Sequence, residues 1–315
     1  MESEIVLNQD DRIRVNHTSL SPFRWTCSLE VEFSEPVLYP LGPLERPNQQ
    51  WRTLEPTLSG CGSGLLVSPR HVLTSAHVIA GLKTVKGVGR APLFQLVPAK
   101  KVTIMPGRNE AVRIPQPFDH FISHKLKVFP GFKKWMENPS GVSLNTIKQA
   151  LAHDIGLIEI NSWPGEKLGW WGLDDRYDLS PVSESFRTRL DKKEVAIAGY
   201  PGEKGKIACG TPYRSAGQVV ATSFRVGGKT QDVLLYDADT SAGMSGSPVW
   251  VRSSGGRYRL VAVHSSFLDY KLGQRANVGA LITPDIFRWL RLQGVFPVYQ
   301  IGISTQKMPE TQYTL

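Results

Sequence analysis

The chain has 315 residues, of which 41% are hydrophobic and 21% charged, as in ordinary globular proteins, and no apolar run is long enough to span a membrane. Its 29 glycines and 22 prolines favour many turns over long helices, which predicts an all-β protein. The formal net charge of +9 favours acidic surfaces or substrates, yet no basic motif interleaved with aromatic residues indicates a nucleic-acid-binding module.

The amino-terminal stretch is predicted to be an extended arm. Residues 1–4 are acidic and lack the apolar core of a secretory leader. The protein is therefore expected to be cytoplasmic if the chain is complete, and secreted if a leader has been removed. Residues 5–15 mix polar and apolar side chains and should lie across the rest of the fold.

Short apolar or alternating runs separated by glycine and proline predict strands along most of the chain. They cover residues 25–33, 62–67, 72–75, 94–97, 102–105 and 112–114 in the first half, and residues 194–199, 205–212, 218–223, 233–236, 248–252, 258–263 and 277–281 in the second. The proline-rich residues 36–56 are predicted to form a loop, and residues 129–147 an insertion without an assigned function. Thr283 as N-cap and Pro284 at the first helical position predict a closing helix before Gly294.

Residues 239–249 are the stretch that most strongly indicates a catalytic site. They are too rich in small side chains for a helix and run into the apolar Val249, which predicts a tight loop that enters a strand. Gly243 lets the backbone turn without a Cβ clash, so the amides of Gly243 and Ser245 can point into one space beside the Ser245 hydroxyl. One segment would then supply a nucleophile and an oxyanion hole, but a serine also needs a base and a group that orients the base.

Candidates for both groups lie earlier in the chain. His77 follows a predicted strand at a corner of small residues, and Asp154 stands at the mouth of a strand whose residues 155–158 are apolar. A buried carboxylate there would hold the imidazole in one tautomer without taking its proton. Considered one at a time, these residues would be interpreted as a packed histidine, a carboxylate at the edge of a strand and a serine in a turn. In the order His77, Asp154, Ser245 they favour a catalytic triad.

This order and these flanking residues resemble the chymotrypsin-fold serine proteases, and most of all the bacterial glutamyl endopeptidases. Similar segments also occur at residues 5–12, 106–109, 199–202 and 263–265. The resemblance implies two six-stranded antiparallel barrels of the trypsin-like serine protease fold with a C-terminal helix. It implies a single trypsin-like peptidase unit over residues 1–315, divided into a first barrel (about 5–160), an inter-barrel crossing (161–193), a second barrel with the closing helix (194–296) and a tail (297–315).

The resemblance also assigns a substrate pocket. In glutamyl endopeptidases a hydroxyl residue five positions before the serine, here Thr240, and a histidine on the following strand, here His264, bind the substrate carboxylate. An imidazolium with hydroxyl donors suits a glutamate that enters a half-desolvated pocket. The implied activity is a serine endopeptidase that cuts after Glu and less readily after Asp. Ser265 corresponds to the family position that hydrogen-bonds the triad carboxylate, here Asp154.

Two positions bear on activation. In the family the α-amino group of the mature chain helps to complete the pocket, and a cut between Glu4 and Ile5 would expose Ile5 in that role. Met244 stands where the digestive proteases carry the aspartate that pairs with a new amino terminus, so that switch is not expected. The glutamyl enzymes also lack this aspartate.

Two other interpretations stay open. Asp239 lies near the acidic pocket position of trypsin-like enzymes that cut after basic residues, so a peptidase of other or broad specificity is one alternative. A catalytically silent protease fold that binds a partner is the other. No cofactor or metal is expected, since His120 and His124 lack a third ligand. The expected partners are protein or peptide substrates with acidic residues, and an inhibitory or activating protein stays open.

The three cysteines are Cys27, Cys61 and Cys209, an odd number without metal-ligand spacing. Family members that bridge the loop around the catalytic histidine carry a second cysteine where this chain has Val78, so that bridge cannot form. This favours a reduced compartment or a fold that needs no bridge. A bond between Cys27 and Cys61 stays open.

Overall fold

The computed structural model describes residues 6–7, 9–41, 50–56, 59–85, 93–137, 144–204, 207–253, 255–270 and 274–298. The strands are β1 (Ile13–Arg14), β2 (Thr26–Glu32), β3 (Val37–Leu41), β4 (Gln50–Leu54), β5 (Gly60–Ser68), β6 (His71–Thr74), β7 (Ala80–Val85), β8 (Leu93–Pro98), β9 (Lys101–Pro106), β10 (Phe121–Ser123), β11 (Lys125–Val128), β12 (Gly156–Glu159), β13 (Tyr177–Asp178), β14 (Glu194–Gly199), β15 (Tyr213–Val226), β16 (Lys229–Tyr236), β17 (Pro248–Arg252), β18 (Tyr258–Tyr270) and β19 (Gln274–Leu281). The helices are α1 (Ala76–Ile79), α2 (Pro130–Met136), α3 (Leu144–Ala150), α4 (Gly165–Leu168), α5 (Glu184–Arg187) and α6 (Pro284–Leu292).

The first half of the chain forms two antiparallel sheets. Seven strands pair in the order β10-β9-β2-β5-β6-β12-β11, and four others pair in the order β4-β3-β7-β8. The seven-stranded sheet curls around a core of fully buried aliphatic side chains, including Leu29, Leu66 and Leu157. Removing such side chains from water is the main favourable term in folding. This half therefore carries more strands than the six of the predicted barrel.

The second half closes into a barrel. Strands pair in the order β15-β14-β17-β18-β19-β16, and β15 also pairs with β16, which completes a ring of six antiparallel strands. The short strand β1 adds to the edge of β15, and β13 pairs with β18 in parallel. The predicted all-β trypsin-like fold with a C-terminal helix is confirmed.

The closing helix α6 begins as predicted. The Thr283 hydroxyl accepts the amide of Ile286 at 3.4 Å, and Pro284 occupies the first turn. Ile286 and Leu290 are buried against the core. Among the described residues, no helix has both the length and the hydropathy needed to cross a membrane.

Several predicted elements differ from the structure. The predicted loop at residues 36–56 contains the paired strands β3 and β4, and Pro40 fits within β3 because that strand pairs with β7 only at Leu38. Residues 112–114 lie in turns and expose their apolar side chains instead of forming a strand. Residues 207–212 are not a strand either, since Cys209 has a left-handed φ of 54° that breaks an extended run.

Candidate active site

His77 and Asp154 meet at one end of the first half. His77 is the second residue of α1, directly after β6, and Asp154 follows a 3-10 turn that leads into β12. One Asp154 oxygen accepts the His77 amide at 3.0 Å, and the other lies 2.6 Å from Nδ1 of the ring. The carboxylate therefore orients both the backbone and the imidazole of His77.

The Asp154 carboxylate is stabilised in its ionised form. Its residue is 1% exposed, and such burial acts to raise the pKa of the carboxyl. The charge of His77 and the hydrogen bonds from His77 and Ser265 act in the opposite direction and outweigh burial, so the pKa lies below its ordinary value. The pair thus keeps a negative charge beside the imidazole.

Ser265 connects Asp154 with Ser245. The Ser265 hydroxyl donates to Asp154 at 2.5 Å, as the resemblance implies, and its backbone carbonyl accepts the Ser245 hydroxyl at 3.3 Å. His77, Asp154, Ser265 and Ser245 therefore form one continuous group of contacts. The first two come from the first half of the chain and the last two from the second.

The loop that carries Ser245 is docked on strand β5. Gly243 has a φ of 100°, a conformation that favours glycine. The Ser63 amide donates to the Ser245 carbonyl at 2.8 Å, and the Ser63 hydroxyl donates to the Gly243 carbonyl at 2.8 Å. The same hydroxyl accepts the Tyr200 amide at 2.9 Å. Sequence reasoning missed Ser63, whose signal was a small polar residue between Gly62 and Gly64 in a buried strand.

Thr240 and His264 are fully buried in the second barrel. The Thr240 hydroxyl donates to the side-chain oxygen of Asn277 at 2.8 Å, and Nδ1 of His264 lies 2.5 Å from the Tyr236 hydroxyl. Tyr236 and Asn277 are partners across β16 and β19. The two predicted pocket residues are therefore linked through a strand pair that sequence reasoning did not single out.

Asp239 faces the amino-terminal arm. Its two carboxylate oxygens accept the amide of Leu7 at 2.8 Å and the amide of Asp11 at 3.1 Å. Burial raises the pKa of Asp239, although these two amides act to lower it. Both oxygens thus bind this chain's own backbone, which differs from the ion pair with a basic substrate that the tryptic alternative requires.

The predicted amino-terminal contribution cannot be followed to its end, since Glu4 and Ile5 lie outside the described residues. The arm beyond them crosses to the second barrel, where β1 pairs with β15. Met244 is fully buried among apolar residues of that barrel, including Val251 and Leu281. An apolar side chain thus fills the space beside Ser245 on the amino-terminal side.

The cysteines pair differently from the possibility left open above. Cys61 forms a disulfide with Cys209, and Cys27 is a buried thiol whose burial raises its pKa. Cys27 and Cys61 do not bond, because they sit on neighbouring strands where Cys27 is opposite Gly64. The expectation of a reduced compartment or of a fold that needs no bridge stays a prediction. Since 148 positions separate the bonded pair, no local pattern could indicate it.

Metal ligands do not cluster in the described parts of the chain. No group of three or more His, Cys, Asp or Glu side chains there is arranged to hold a metal ion. His120 and His124 flank strand β10 and do not share a helix face. The ring of His124 bonds the Lys100 carbonyl at 2.7 Å.

Comparison with known families identifies the chain. The model of the trypsin-like peptidase domain matches residues 62–263, a span that contains His77, Asp154 and Ser245. The chain belongs to the trypsin-like peptidase family. By family and fold this trypsin-like peptidase is a serine protease hydrolase that acts on peptide substrates.

Similar known proteins are distant relatives of this trypsin-like peptidase. An extracellular metalloprotease of Bacillus subtilis (strain 168) is 24% identical over 290 residues, or 91% of this chain and 69% of that protein. The glutamyl endopeptidase of Bacillus licheniformis is 25% identical over 288 residues, which are 90% of this chain and 66% of that protein. The glutamyl endopeptidase of Staphylococcus epidermidis is 23% identical over 221 residues, which are 70% of this chain and 59% of that protein. The chain thus spans between 59% and 69% of the length of these relatives.

A solved structure of a Glu endopeptidase in complex with MPD has the same fold. It superposes with a TM-score of 0.57 and covers 92% of this chain and 99% of that chain. The two sequences are 18% identical, so the likeness concerns the fold.

Proposed function

We propose that this trypsin-like peptidase is a serine endopeptidase that cuts peptide bonds after glutamate and less readily after aspartate. Ser245 is the nucleophile, His77 the general base and Asp154 the group that orients the base. The proposal rests above all on Asp154, which accepts hydrogen bonds from His77 and Ser265, while the Ser265 carbonyl accepts one from Ser245. Acyl transfer by a serine requires a nucleophile, a base and a carboxylate that orients the base, and Ser265 links the Ser245 hydroxyl to the His77–Asp154 pair.

The reaction proceeds in two matched halves. Ser245 Oγ attacks the carbonyl carbon of the substrate as its proton passes to His77 Nε2, the ring nitrogen opposite the one that faces Asp154. His77 then gives this proton to the leaving amine and the carbon–nitrogen bond breaks. In the second half water loses a proton to His77, attacks the acyl-enzyme and releases the carboxyl product with Ser245 restored.

The developing oxyanion needs hydrogen-bond donors on the side opposite His77. The amides of Gly243 and Ser245 are the candidates, because the turn at Gly243 and the bond from Ser63 to its carbonyl fix the orientation of this segment. Donors that are already in place stabilise a transition state without reorganisation at the moment of reaction. Ser63 acts here as a positioning residue.

Recognition of glutamate is assigned mainly to His264. The Tyr236 hydroxyl lies 2.5 Å from Nδ1 of His264 and fixes the orientation of the ring, so that Nε2 is the ring nitrogen left to donate to a carboxylate. The Thr240 hydroxyl already donates to Asn277, so it can serve the substrate only after it turns away. The distant glutamyl endopeptidases and the net charge of +9 agree with an acidic substrate.

An active-site phosphonate probe tests the nucleophile. We expect labelling of the wild-type protein and none of Ser245→Ala, with kcat lower by at least about 10⁴-fold in the variant because the step that forms the acyl-enzyme is lost. Ser185→Ala, at an exposed serine, is the matched control and should label normally. A folded wild-type protein that neither labels nor cleaves would leave the silent binding protein as the better account.

Peptides that differ only in the residue before the cut test the pocket. We expect Glu to be preferred over Gln by about 100-fold in kcat/KM, because a charged hydrogen bond is lost with Gln. His264→Gln should remove most of this preference, and Tyr236→Phe, which keeps the ring volume, should reduce it. The control His153→Gln should leave it unchanged. Equal cleavage after Glu and Gln, or preference for Lys, would count against the proposal.

A further inference from the structure

The disulfide between Cys61 and Cys209 joins the two halves of the molecule. Cys61 lies on β5 of the first half, and Cys209 lies in the connection between β14 and β15 of the second barrel. Cys209 is fully buried and Cys61 is half-buried. Strand β5 is also the strand on which the Ser245 loop is docked through Ser63. The bond therefore lies close to the candidate active site.

The connection between β14 and β15, which carries Cys209, lies directly against Gly243. A Cβ placed on Gly243 would come within 2.6 Å of the Cys209 sulfur and within 2.5 Å of the Tyr200 carbonyl oxygen. The Gly202 amide donates to the Ala242 carbonyl at 2.6 Å. The Gly243 Cα and the peptide unit before it thus lie directly against this connection, while the Gly243 carbonyl is held by Ser63.

The connection is held from the first half. The Ser28 hydroxyl donates to the Cys209 carbonyl at 2.8 Å, and the Glu110 amide donates to the Gly210 carbonyl at 2.9 Å. The disulfide adds a covalent tie at the same place. Cys209 itself has a φ of 54°, which a non-glycine residue keeps only where its surroundings hold it. The position of this connection therefore depends on two hydrogen bonds and the disulfide.

We propose that the Cys61–Cys209 disulfide positions the oxyanion hole, so that peptidase turnover depends on the oxidised state of this bond. The proposal rests on the function proposed above. Ground-state binding of the substrate side chain is assigned to His264 on β18, a strand that pairs with β13, β17 and β19 and not with β5. Loss of the bond should accordingly lower kcat and leave KM nearly constant.

Reduction requires a thiol partner. A dithiol such as dithiothreitol attacks one sulfur as its thiolate, forms a mixed disulfide, and closes on itself. The sulfur–sulfur bond breaks, Cys61 and Cys209 gain one hydrogen each, and the reagent leaves as a cyclic disulfide. Half-buried Cys61 offers the sulfur for this attack. After the dithiol is removed, excess oxidised glutathione re-forms the bond by thiol–disulfide exchange and leaves as two molecules of reduced glutathione, so activity should return.

The experiment compares oxidised protein, dithiothreitol-reduced protein, Cys61→Ala and Cys209→Ala on a glutamyl peptide. Cys27→Ala is the matched control, because it removes the cysteine outside the bond. We expect kcat to fall about 10- to 100-fold in the reduced protein and in both variants, which is part of the loss expected for one missing oxyanion donor. KM should change less than about twofold, and Cys27→Ala should behave as the wild type.

Affinity for a peptide aldehyde supplies a readout that a purely structural role would not move. The aldehyde forms an adduct with Ser245 that carries an oxyanion, so its affinity should fall with kcat, whereas affinity for the cleaved peptide acid should not. Thermal unfolding of each sample is followed in parallel. Unchanged kcat after verified reduction, a rise in KM instead, or loss of activity that only follows unfolding would each overturn the proposal. An oxidised protein without peptidase activity would overturn the proposed function itself.

Discussion

Ser265 contributes both its side chain and its backbone to the candidate site. Its hydroxyl bonds the buried Asp154 carboxylate and its carbonyl accepts the Ser245 hydroxyl. A hydrogen bond to an ionised group contributes about 1.5–3 kcal/mol, more than a bond between neutral partners. Ser265 therefore links the charge of Asp154 to the position of Ser245, the proposed nucleophile.

Replacement of Ser265 by alanine should lower both stability and activity. We expect the free energy of unfolding to fall by about 1–3 kcal/mol, since a buried carboxylate loses a donor, and kcat to fall by about tenfold. The lowered pKa of Asp154 stabilises the fold above the ordinary aspartate pKa of about 3.9, and this contribution disappears as pH falls through the folded-state value. The difference between variant and wild type should therefore close in strong acid.

Urea unfolding between neutral pH and about pH 2 measures this difference, and peptide cleavage measures kcat. Ser223→Ala, on strand β15 of the same barrel, is the control and should change neither quantity. A gap in stability that persists in strong acid would show that the Ser265 hydroxyl acts through packing instead of through the charge on Asp154.

The amino-terminal arm is the element most closely joined to the candidate pocket. Its amides at Leu7 and Asp11 hold Asp239, the neighbour of Thr240. The buried Arg12 guanidinium pairs with Glu203 at 2.6 Å and donates to the Ser241 hydroxyl. The arm therefore holds the start of the loop that carries Ser245, and Arg12 also joins it to Glu203 in the connection that carries Cys209.

Replacement of Asp239 by asparagine should release part of the arm. An amide group keeps one acceptor oxygen but turns an NH₂ toward a backbone N–H, so one of the two bonds is lost. We expect hydrogen exchange at the Leu7 or Asp11 amide to accelerate about tenfold, the equivalent of about 1.4 kcal/mol. Asp237→Asn, two residues earlier and exposed, is the control. Unchanged exchange, with a new preference among basic substrates, would support the tryptic pocket instead.

Local patterns were sufficient for the elements that depend on nearby residues. Strands β14 and β17 occupy the predicted residues, and Thr283 caps α6 as expected. Of the strand predicted at residues 205–212, the described residues 207–212 are not extended, because the backbone at Cys209 is fixed by contacts with the first half. Strands β3 and β4 were not predicted, because the prolines in residues 36–56 were taken to indicate a loop and the pairing of the two strands cannot be read from either one alone.

The candidate site also contains residues that the sequence could indicate and residues that depend on contacts between distant parts of the chain. The sequence order of His77, Asp154 and Ser245, together with the family resemblance, was enough to nominate them, and Ser265 followed from the resemblance. Tyr236 and Ser63 could not be found in this way. Each acts through a partner far along the chain, and the two are brought together by the strand pairing of the second barrel for Tyr236 and His264 and by the packing of the two halves for Ser63 and Gly243.

Stability of the whole molecule should depend on pH through His71. This side chain is 5% exposed, its Nδ1 lies 2.7 Å from the Ser68 hydroxyl, and burial lowers its pKa to about 4. In the unfolded chain the pKa of a histidine is about 6.5, so between about pH 4 and pH 6.5 the unfolded His71 is mostly protonated and the folded one mostly is not. Between these values the unfolded state holds more protons, so the free energy of unfolding decreases as pH falls.

The decrease from this residue should reach about 3 kcal/mol by pH 4, and His71→Gln should flatten it. Urea unfolding in steps between pH 7 and pH 4 measures the slope. His120→Gln, at a half-exposed ring, is the control and should retain the wild-type slope. An unaltered slope in His71→Gln would assign the acid sensitivity to other groups.

Synthesis of this polypeptide delivers the proposed base and its carboxylate long before the proposed nucleophile emerges from the ribosome. Until Ser245 and Ser265 arrive, Asp154 lacks one of its donors and no acyl group can be formed. A growing chain that has not yet reached Ser245 therefore lacks the proposed nucleophile, so the proposed hydrolysis can begin only after the second barrel has been synthesised.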